Sequence, residues 1–249
     1  MEHDQSIVNP GALSSVLDDV YDYLSFLKDM GWAGFECTKD IKDILESWGK
    51  PLVDHPDSMG RILAEVQACC GCKLRENRGK IVFGSGDEQA RLVFVGEGPG
   101  ENEDLQGRPF VGRAGQLLDK IIIAMGLKRS DVYICNIIKC RPPENREPRP
   151  EEIISCLPYL KKQLELIRPK VIVALGAPAT KTLLATNKPI GQMRGKFFDY
   201  YFDDFSPPIK LMPTFHPAYL LRNYSHENRL RVWEDMKSVL TELGLPVPK

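Results

Sequence analysis

Short apolar runs alternate with amphipathic stretches over most of this chain, which is the pattern of buried strands and the helices that cover them. Strands are predicted at 80–84, at 91–95, within 131–140 and at 170–175. Helices are predicted at 61–68, from near Gly112 through Leu117, Leu118, Ile121, Ile122 and Met125, and from about Pro150 to Ile167. Two more are predicted at 177–185 and at 227–243. Pro150 with Glu151 and Glu152 is a sound helix start, while Pro158 should kink the helix that follows. An apolar run at 210–215 leads directly into His216. Strands alternating with helices imply an α/β fold, a three-layer α/β/α arrangement with a mainly parallel central sheet of about four strands.

Ahead of that body, residues 12–30 place Leu13, Val16, Leu17, Val20, Tyr21, Leu24 and Leu27 at helical spacing. The organisation expected is an acidic accessory helical segment over 1–60 and a main domain over 61–249. Cys37 reads as a partly buried thiol and His55 as a surface histidine; no catalytic pattern is visible there.

The stretch around which the body is built is Gly96-Glu97-Gly98-Pro99-Gly100-Glu101-Asn102-Glu103-Asp104, between the strand at 91–95 and the helix after Gly112. Strand, glycine loop and helix make a ligand crevice at the carboxyl edge of an α/β sheet. The loop lacks the Gly-Lys-Ser/Thr of a phosphate-binding loop. Its glycines at 96, 98 and 100 also miss the dinucleotide spacing, so a nucleotide-binding protein is disfavoured. Glu97, Glu101 and Glu103 would repel a phosphate, so the target should be neutral or become cationic.

Composition narrows the class. The 249 residues suit one ordinary domain with an appendage. No apolar run is long enough to span a membrane, and the first residues lack a signal peptide's basic start and apolar core. A cytoplasmic protein with no membrane partner is expected, its seven cysteines serving as thiols or metal ligands. Net charge is −1, but residues 1–65 hold 13 carboxylates against 5 basic residues, leaving the remainder at +7. A basic body permits phosphate contacts.

Cys69-x-x-Cys72 lets two thiolates reach one metal centre from a tight turn at Gly71. Cys140 and Cys156 flank a proline-rich loop and could complete a four-thiolate site. Ligand count alone leaves zinc and an iron–sulfur cluster both open. Cys70 and Cys135 are spare, the latter in strand sequence.

Taken in order, these motifs resemble family 4 of the uracil-DNA glycosylases, the iron–sulfur family. The likeness runs from Cys69 to Leu240. It comprises Cys-x-x-Cys, Gly-Glu-Gly-Pro-Gly-x-x-Glu-Asp, Arg-Pro-Phe-Val-Gly-x-x-Gly, Asn-x-x-Lys-Cys-Arg-Pro-Pro-x-Asn-Arg, Cys156 and His216-Pro-Ala-x-x-Leu-Arg222. The resemblance implies a [4Fe–4S] cluster on Cys69, Cys72, Cys140 and Cys156. It also implies a monofunctional DNA-repair hydrolase that flips uracil out of DNA and cleaves its N-glycosidic bond, leaving an abasic site. Gly96, Glu97, Gly98, Gly100, Phe110, Asn136 and His216 would hold the base. Phe110 would supply the face it lies on, Asn136 would read N3–H and O4, and a neutral His216 would donate to O2 as charge builds.

Better-known relatives place an aspartate at the position of Gly98. Glu103 is expected to take over orientation of the water, with Glu97 nearer the base, where it helps exclude thymine's methyl group. Glu101 and Asp104 would be solvated charges or helix caps. Leu220, Leu221 and Arg222 would form a loop that enters the minor groove, with Arg141, Arg146, Arg194 and Arg222 on phosphates. The loop 144–150 holds no histidine, so turnover rather than covalent trapping is expected. The partner is uracil-containing DNA, the chain is read as a monomer, and the acidic arm could dock a replication or repair protein. The alternative is a non-catalytic iron–sulfur DNA-binding module associated with a polymerase.

Overall fold

A computed structural model of the chain describes residues 58–202 and 207–248. The helical stripe at 12–30, Cys37 and His55 therefore lie outside the described residues. The described residues open with α1 (Met59–Ala68), followed by β1 (Ser85–Gly86), β2 (Leu92–Gly96), α2 (Glu101–Gln106) and α3 (Arg113–Ala124). Then come β3 (Tyr133–Asn136), α4 (Pro150–Ile167), β4 (Val171–Leu175), α5 (Gly176–Leu184) and α6 (Ile190–Met193). The series ends with β5 (Phe198–Tyr200), β6 (Ile209–Thr214), α7 (Pro217–Arg222) and α8 (His226–Leu243).

The sheet has six strands in the order β1-β3-β2-β4-β6-β5. Its four inner strands run parallel, and the two short edge strands are antiparallel to their neighbours. Three of the four predicted strands lie in the parallel centre; its fourth strand is β6, which the sequence showed as the apolar run before His216, and the edges were undercounted. Residues 80–84 form no strand; the pairing falls instead on Ser85 and Gly86. Gly84 and Gly86 have φ of 152° and 132°, and a Cβ on Gly86 would sit 1.9 Å from the Val132 carbonyl oxygen. That close approach to β3 is open only to glycine.

Successive strand residues point to opposite faces, which divides the core in two. Val93, Val95, Tyr133, Cys135, Ile172, Ala174 and Leu211 pack with Ile62 and Val66 of α1, Leu160 and Leu164 of α4, and Ala179 of α5. Leu92, Phe94, Ile134, Val171, Val173 and Met212 pack with Leu118 and Ile122 of α3 and with Met236, Val239 and Leu240 of α8. Both faces are covered, as the uninterrupted apolar strands require. Among the described residues no helix is long and apolar enough to cross a membrane.

Parallel strands end together, and this sets the position of the site. Gly96 of β2 is in register with Asn136 of β3, and Leu175 of β4 with Thr214 of β6. The loops leaving these four ends share one edge of the sheet.

A base-sized crevice and a cysteine cavity

The crevice at that edge is lined by Glu97, Gly98, Gly100, Glu103, Phe110, Asn136, His216 and Arg222, among others. Gly96 sets its width. A Cβ there would lie 2.4 Å from Asn136 Oδ1 and 2.6 Å from the Phe110 ring. Only a residue without a side chain leaves room for the amide and the ring to approach each other. Asn136 is 1% exposed, and its Oδ1 has no hydrogen-bond partner. A buried acceptor left unpaired costs about 1–3 kcal/mol, so a donor from a ligand is the expected remedy.

Phe110 adopts φ 50°, a backbone region costly for a side-chain-bearing residue. Arg129 supports this conformation, donating from Nη1 to the Phe110 carbonyl at 3.2 Å and to Asp119 at 2.6 Å. His216 follows β6 and caps α7. Its Nδ1 accepts from the Ala218 N–H at 3.0 Å, so the ring proton sits on Nε2. Burial and the neighbouring Arg222 charge, opposed by Glu103, pull its pKa down to about 4. The imidazole is therefore neutral at physiological pH. The Phe110 and His216 ring centroids lie 5.6 Å apart, tilted by 34°. Behind His216, Gly176 has φ +88°, and a Cβ there would come within 2.9 Å of the His216 Cβ. Sequence reasoning passed over Gly176, whose only signal is its place after a strand.

The carboxylates divide by environment. Burial, reinforced by Glu147 and opposed by Arg222, raises Glu97 to about 7. Glu147 had gone unnoticed because it lies fifty residues away on the proline-rich loop. Glu103 Oε1 accepts from the Val111 and Gly112 N–H groups at 2.8 Å each, which fastens the segment that carries Phe110. Its Oε2 lies beside Gly100, where a Cβ would approach to 2.8 Å. The expected acidic loop is helical from Glu101 on, and Glu101 is exposed in the first turn of α2. Asp104 is neither a solvated charge nor a cap. It is 7% exposed and accepts from the Gly79 and Lys80 N–H groups.

Several residues expected to meet DNA are otherwise engaged. Arg194 forms an ion pair with the buried Asp235, which also accepts from Thr214 Oγ1 at 2.6 Å. A guanidinium held in this way is not presented to phosphates. Arg146 forks onto Glu152 at 2.6 and 2.9 Å while still bordering the crevice. Arg141 Nε donates to Asn145 Oδ1 at 2.8 Å, and Arg222 is exposed at the rim. Residues 217–222 form a helix rather than a loop, because Pro217 is a good first helical residue and His216 caps it. Leu220 faces inward at 3% exposure, so this side chain cannot enter a groove as it stands; Leu221 is half-buried.

Cys69, Cys72, Cys140 and Cys156 line one small cavity on the other side of residues 136–140. Cys70 is exposed and Cys135 is buried in the core. Among the described residues no group of three or more ligand-type side chains closes around a single ion. Hydrogen-bond donors nonetheless point at three of the four sulfurs. The Gly71 N–H reaches Cys69 Sγ at 3.4 Å, the Lys139 N–H reaches Cys156 Sγ at 3.3 Å, and Arg78 Nη1 reaches Cys140 Sγ at 3.3 Å. Donors aimed at sulfur suit thiolates more than thiols. Burial pushes Cys156 up to about 11, against the pull of Lys139, and raises Cys140 against Arg78.

Comparison with known proteins agrees with this arrangement. Residues 83–237 match the uracil DNA glycosylase superfamily. A type-4 uracil-DNA glycosylase of Thermotoga maritima is 50% identical over 173 residues, which is 69% of this chain and 88% of that protein. The type-4 enzyme of Saccharolobus solfataricus is 45% identical over 76% of this chain and 88% of its own length. That of Archaeoglobus fulgidus is 41% identical over 74% of this chain and 92% of its own.

Proposed function

The chain belongs to the uracil-DNA glycosylase superfamily, with type-4 enzymes as its relatives, and from that premise we propose how it removes uracil from DNA by hydrolysing the N-glycosidic bond. The observation that carries the proposal is the orphaned Oδ1 of Asn136, buried at the floor of a slot bordered by Phe110 and His216. A base inside a duplex is out of reach of this slot, so the nucleotide must leave the stack. Its ring lies against Phe110. The Asn136 Oδ1 accepts from N3–H and the amide nitrogen donates to O4. Cytosine, with an acceptor at N3 and a donor at C4, meets the reverse of this pattern.

When the C1′–N1 bond breaks, its electron pair passes to the base and charge collects on O2. His216 Nε2–H donates to that oxygen, and the low pKa keeps it a neutral donor. The sugar becomes oxocarbenium-like, by analogy with other glycosyl transfers. Glu103 accepts two backbone N–H groups on one oxygen; its other oxygen is the one offered to the sugar and the attacking water. Glu97 lies nearer the base edge. Arg222 sits on the DNA side of the crevice, and Leu221 is the apolar side chain best placed to follow the vacated stack.

The four cysteines fit a [4Fe–4S] cluster, supported by their place around one cavity and by the donors aimed at three of their sulfurs. When bound, the group supplies a cross-link between distant segments of the chain. On the same reading, residues 1–60 are an accessory segment that could dock a replication or repair protein, the chain is a monomer, and it works in the cytoplasm.

The test is release of free uracil from an oligonucleotide carrying one deoxyuridine. Wild type should release base and leave an abasic site, and His216→Ala should be slower by about 10²–10³-fold. If wild type binds the oligonucleotide and releases nothing, the proposal is lost and a non-catalytic DNA-binding module takes its place.

A further inference from the structure

Lys139 occupies an unusual place between the two sites. Its side chain is fully buried at 0% exposure. Its Nζ donates to the Asn136 carbonyl at 2.8 Å, while its main-chain N–H faces Cys156 Sγ at 3.3 Å. It also lines the cysteine cavity. Among the described residues it forms no ion pair with a carboxylate, and the titratable groups beside it are Cys135 and Cys156. Glu152, which borders the cavity, is already taken by Arg146 and by the Arg149 N–H. Burial pulls the Lys139 pKa down, against Cys135 and Cys156, so its ammonium form needs a counter-charge close by. Arg75 and Arg78 line the same cavity, so its fixed charges are cationic in excess. An occupant with net negative charge, as four thiolates around an iron–sulfur core would have, balances them.

We propose that Lys139 is the internal counter-cation of the cysteine-held group and the strut that ties that group to the base-reading Asn136. This rests on the reading of the cavity as an iron–sulfur site. Lys139 touches no substrate in this arrangement; it is a positioning residue. Its short reach, from the carbonyl of residue 136 to the cavity wall at 139–140, explains how a group remote from the crevice can affect recognition there. With the cavity filled, the ammonium is held between anion and carbonyl. The main chain that carries the Asn136 amide is then fixed in register with Gly96.

The experiment uses the full-length holoprotein as purified, in wild-type, Lys139→Met, Lys139→Arg and Asn136→Ala forms. Three quantities are read: iron and sulfide per chain, the rate at which a fixed ferricyanide concentration bleaches the visible absorption, and KM and kcat on a uracil oligonucleotide. Removing an internal cation favours oxidation of the group, so Lys139→Met should bleach on the order of tenfold faster. Its KM should rise several-fold with a smaller change in kcat. Lys139→Arg should restore the bleaching rate, and Asn136→Ala should raise KM while bleaching like wild type. Should Lys139→Met not be recovered folded, Lys139→Gln carries the same test, because it is neutral and keeps a donor. A brown wild type whose neutral variants bleach at the wild-type rate, with unchanged KM, overturns the proposal alone. A wild type without iron overturns the cofactor reading beneath it.

Discussion

At the scale of single residues, protonation and orphaned atoms decide the chemistry. His216 is neutral because burial and Arg222 oppose its proton, so no histidine limb should appear in the kcat/KM profile above pH 5. Glu97 behaves differently. Its pKa rises from 4.5 to about 7, so between those values the folded chain holds a proton that the unfolded chain has lost. Stability therefore falls as pH rises through that window, and Glu97→Gln should flatten the slope in denaturant melts taken from pH 4.5 to 7. Asn136→Ala removes the amide that awaits N3–H and O4; kcat/KM should fall roughly 10–100-fold, together with the preference for uracil over cytosine. The motifs that carry positions 110, 136 and 216 were legible in the sequence, and the fold brings all three residues to one crevice. The state of each side chain was not legible there. The tautomer of His216 follows from the Ala218 N–H, and the raised pKa of Glu97 from Glu147, which no local pattern connects to it.

At the scale of elements, short segments place these groups and so limit which substitutions they tolerate. Gly96, the last residue of β2, is the clearest case. Gly96→Ala would bring a methyl group within 2.4 Å of the Asn136 amide and 2.6 Å of the Phe110 ring. The expected outcome is a folded protein with base excision reduced at least a hundredfold; near-wild-type turnover would show that the slot is not where the base lies. The clamp of Arg194, Asp235 and Thr214 joins α8 to the end of β6, just before His216. Asp235→Ala leaves the half-buried Arg194 guanidinium without its carboxylate and Thr214 Oγ1 without its acceptor, which thermal melts would record as a fall in Tm. Arg194→Ala should also lower Tm, yet leave the salt dependence of DNA binding unchanged. Arg222→Ala should reduce that salt slope by about 1. The run of arginines pointed to phosphate contact at all four positions, but charge pattern cannot reveal which guanidiniums are already paired inside the fold. In the same way, Leu220 and Leu221 look alike in sequence, and only the rotation of α7 turns one inward.

At the scale of the whole molecule, two sites lie on opposite sides of one strand-end segment, residues 136–140. Cys140→Ser or Cys156→Ser should give colourless protein with a lowered Tm, because the cavity these residues line joins the segment after α1, the end of β3 and α4. Visible absorption and iron content would check it. The layered α/β architecture, the order of motifs and the two cysteine pairs that meet at one cavity were written in the chain itself. Apolar runs at strand length can be buried only in a sheet covered on both faces, and two cysteine pairs beside turns can converge. The edge strands escaped because two-residue pairings at glycines carry no periodicity. What the tertiary structure alone decided was convergence: that the Asn136 Oδ1 finds no partner among the described residues, that Lys139 ties the wall of the cysteine cavity to the Asn136 carbonyl, and that Arg194 and Leu220 face inward. Those properties depend on distances between segments far apart in sequence, which parallel register and helix rotation set and which no local run of residues encodes.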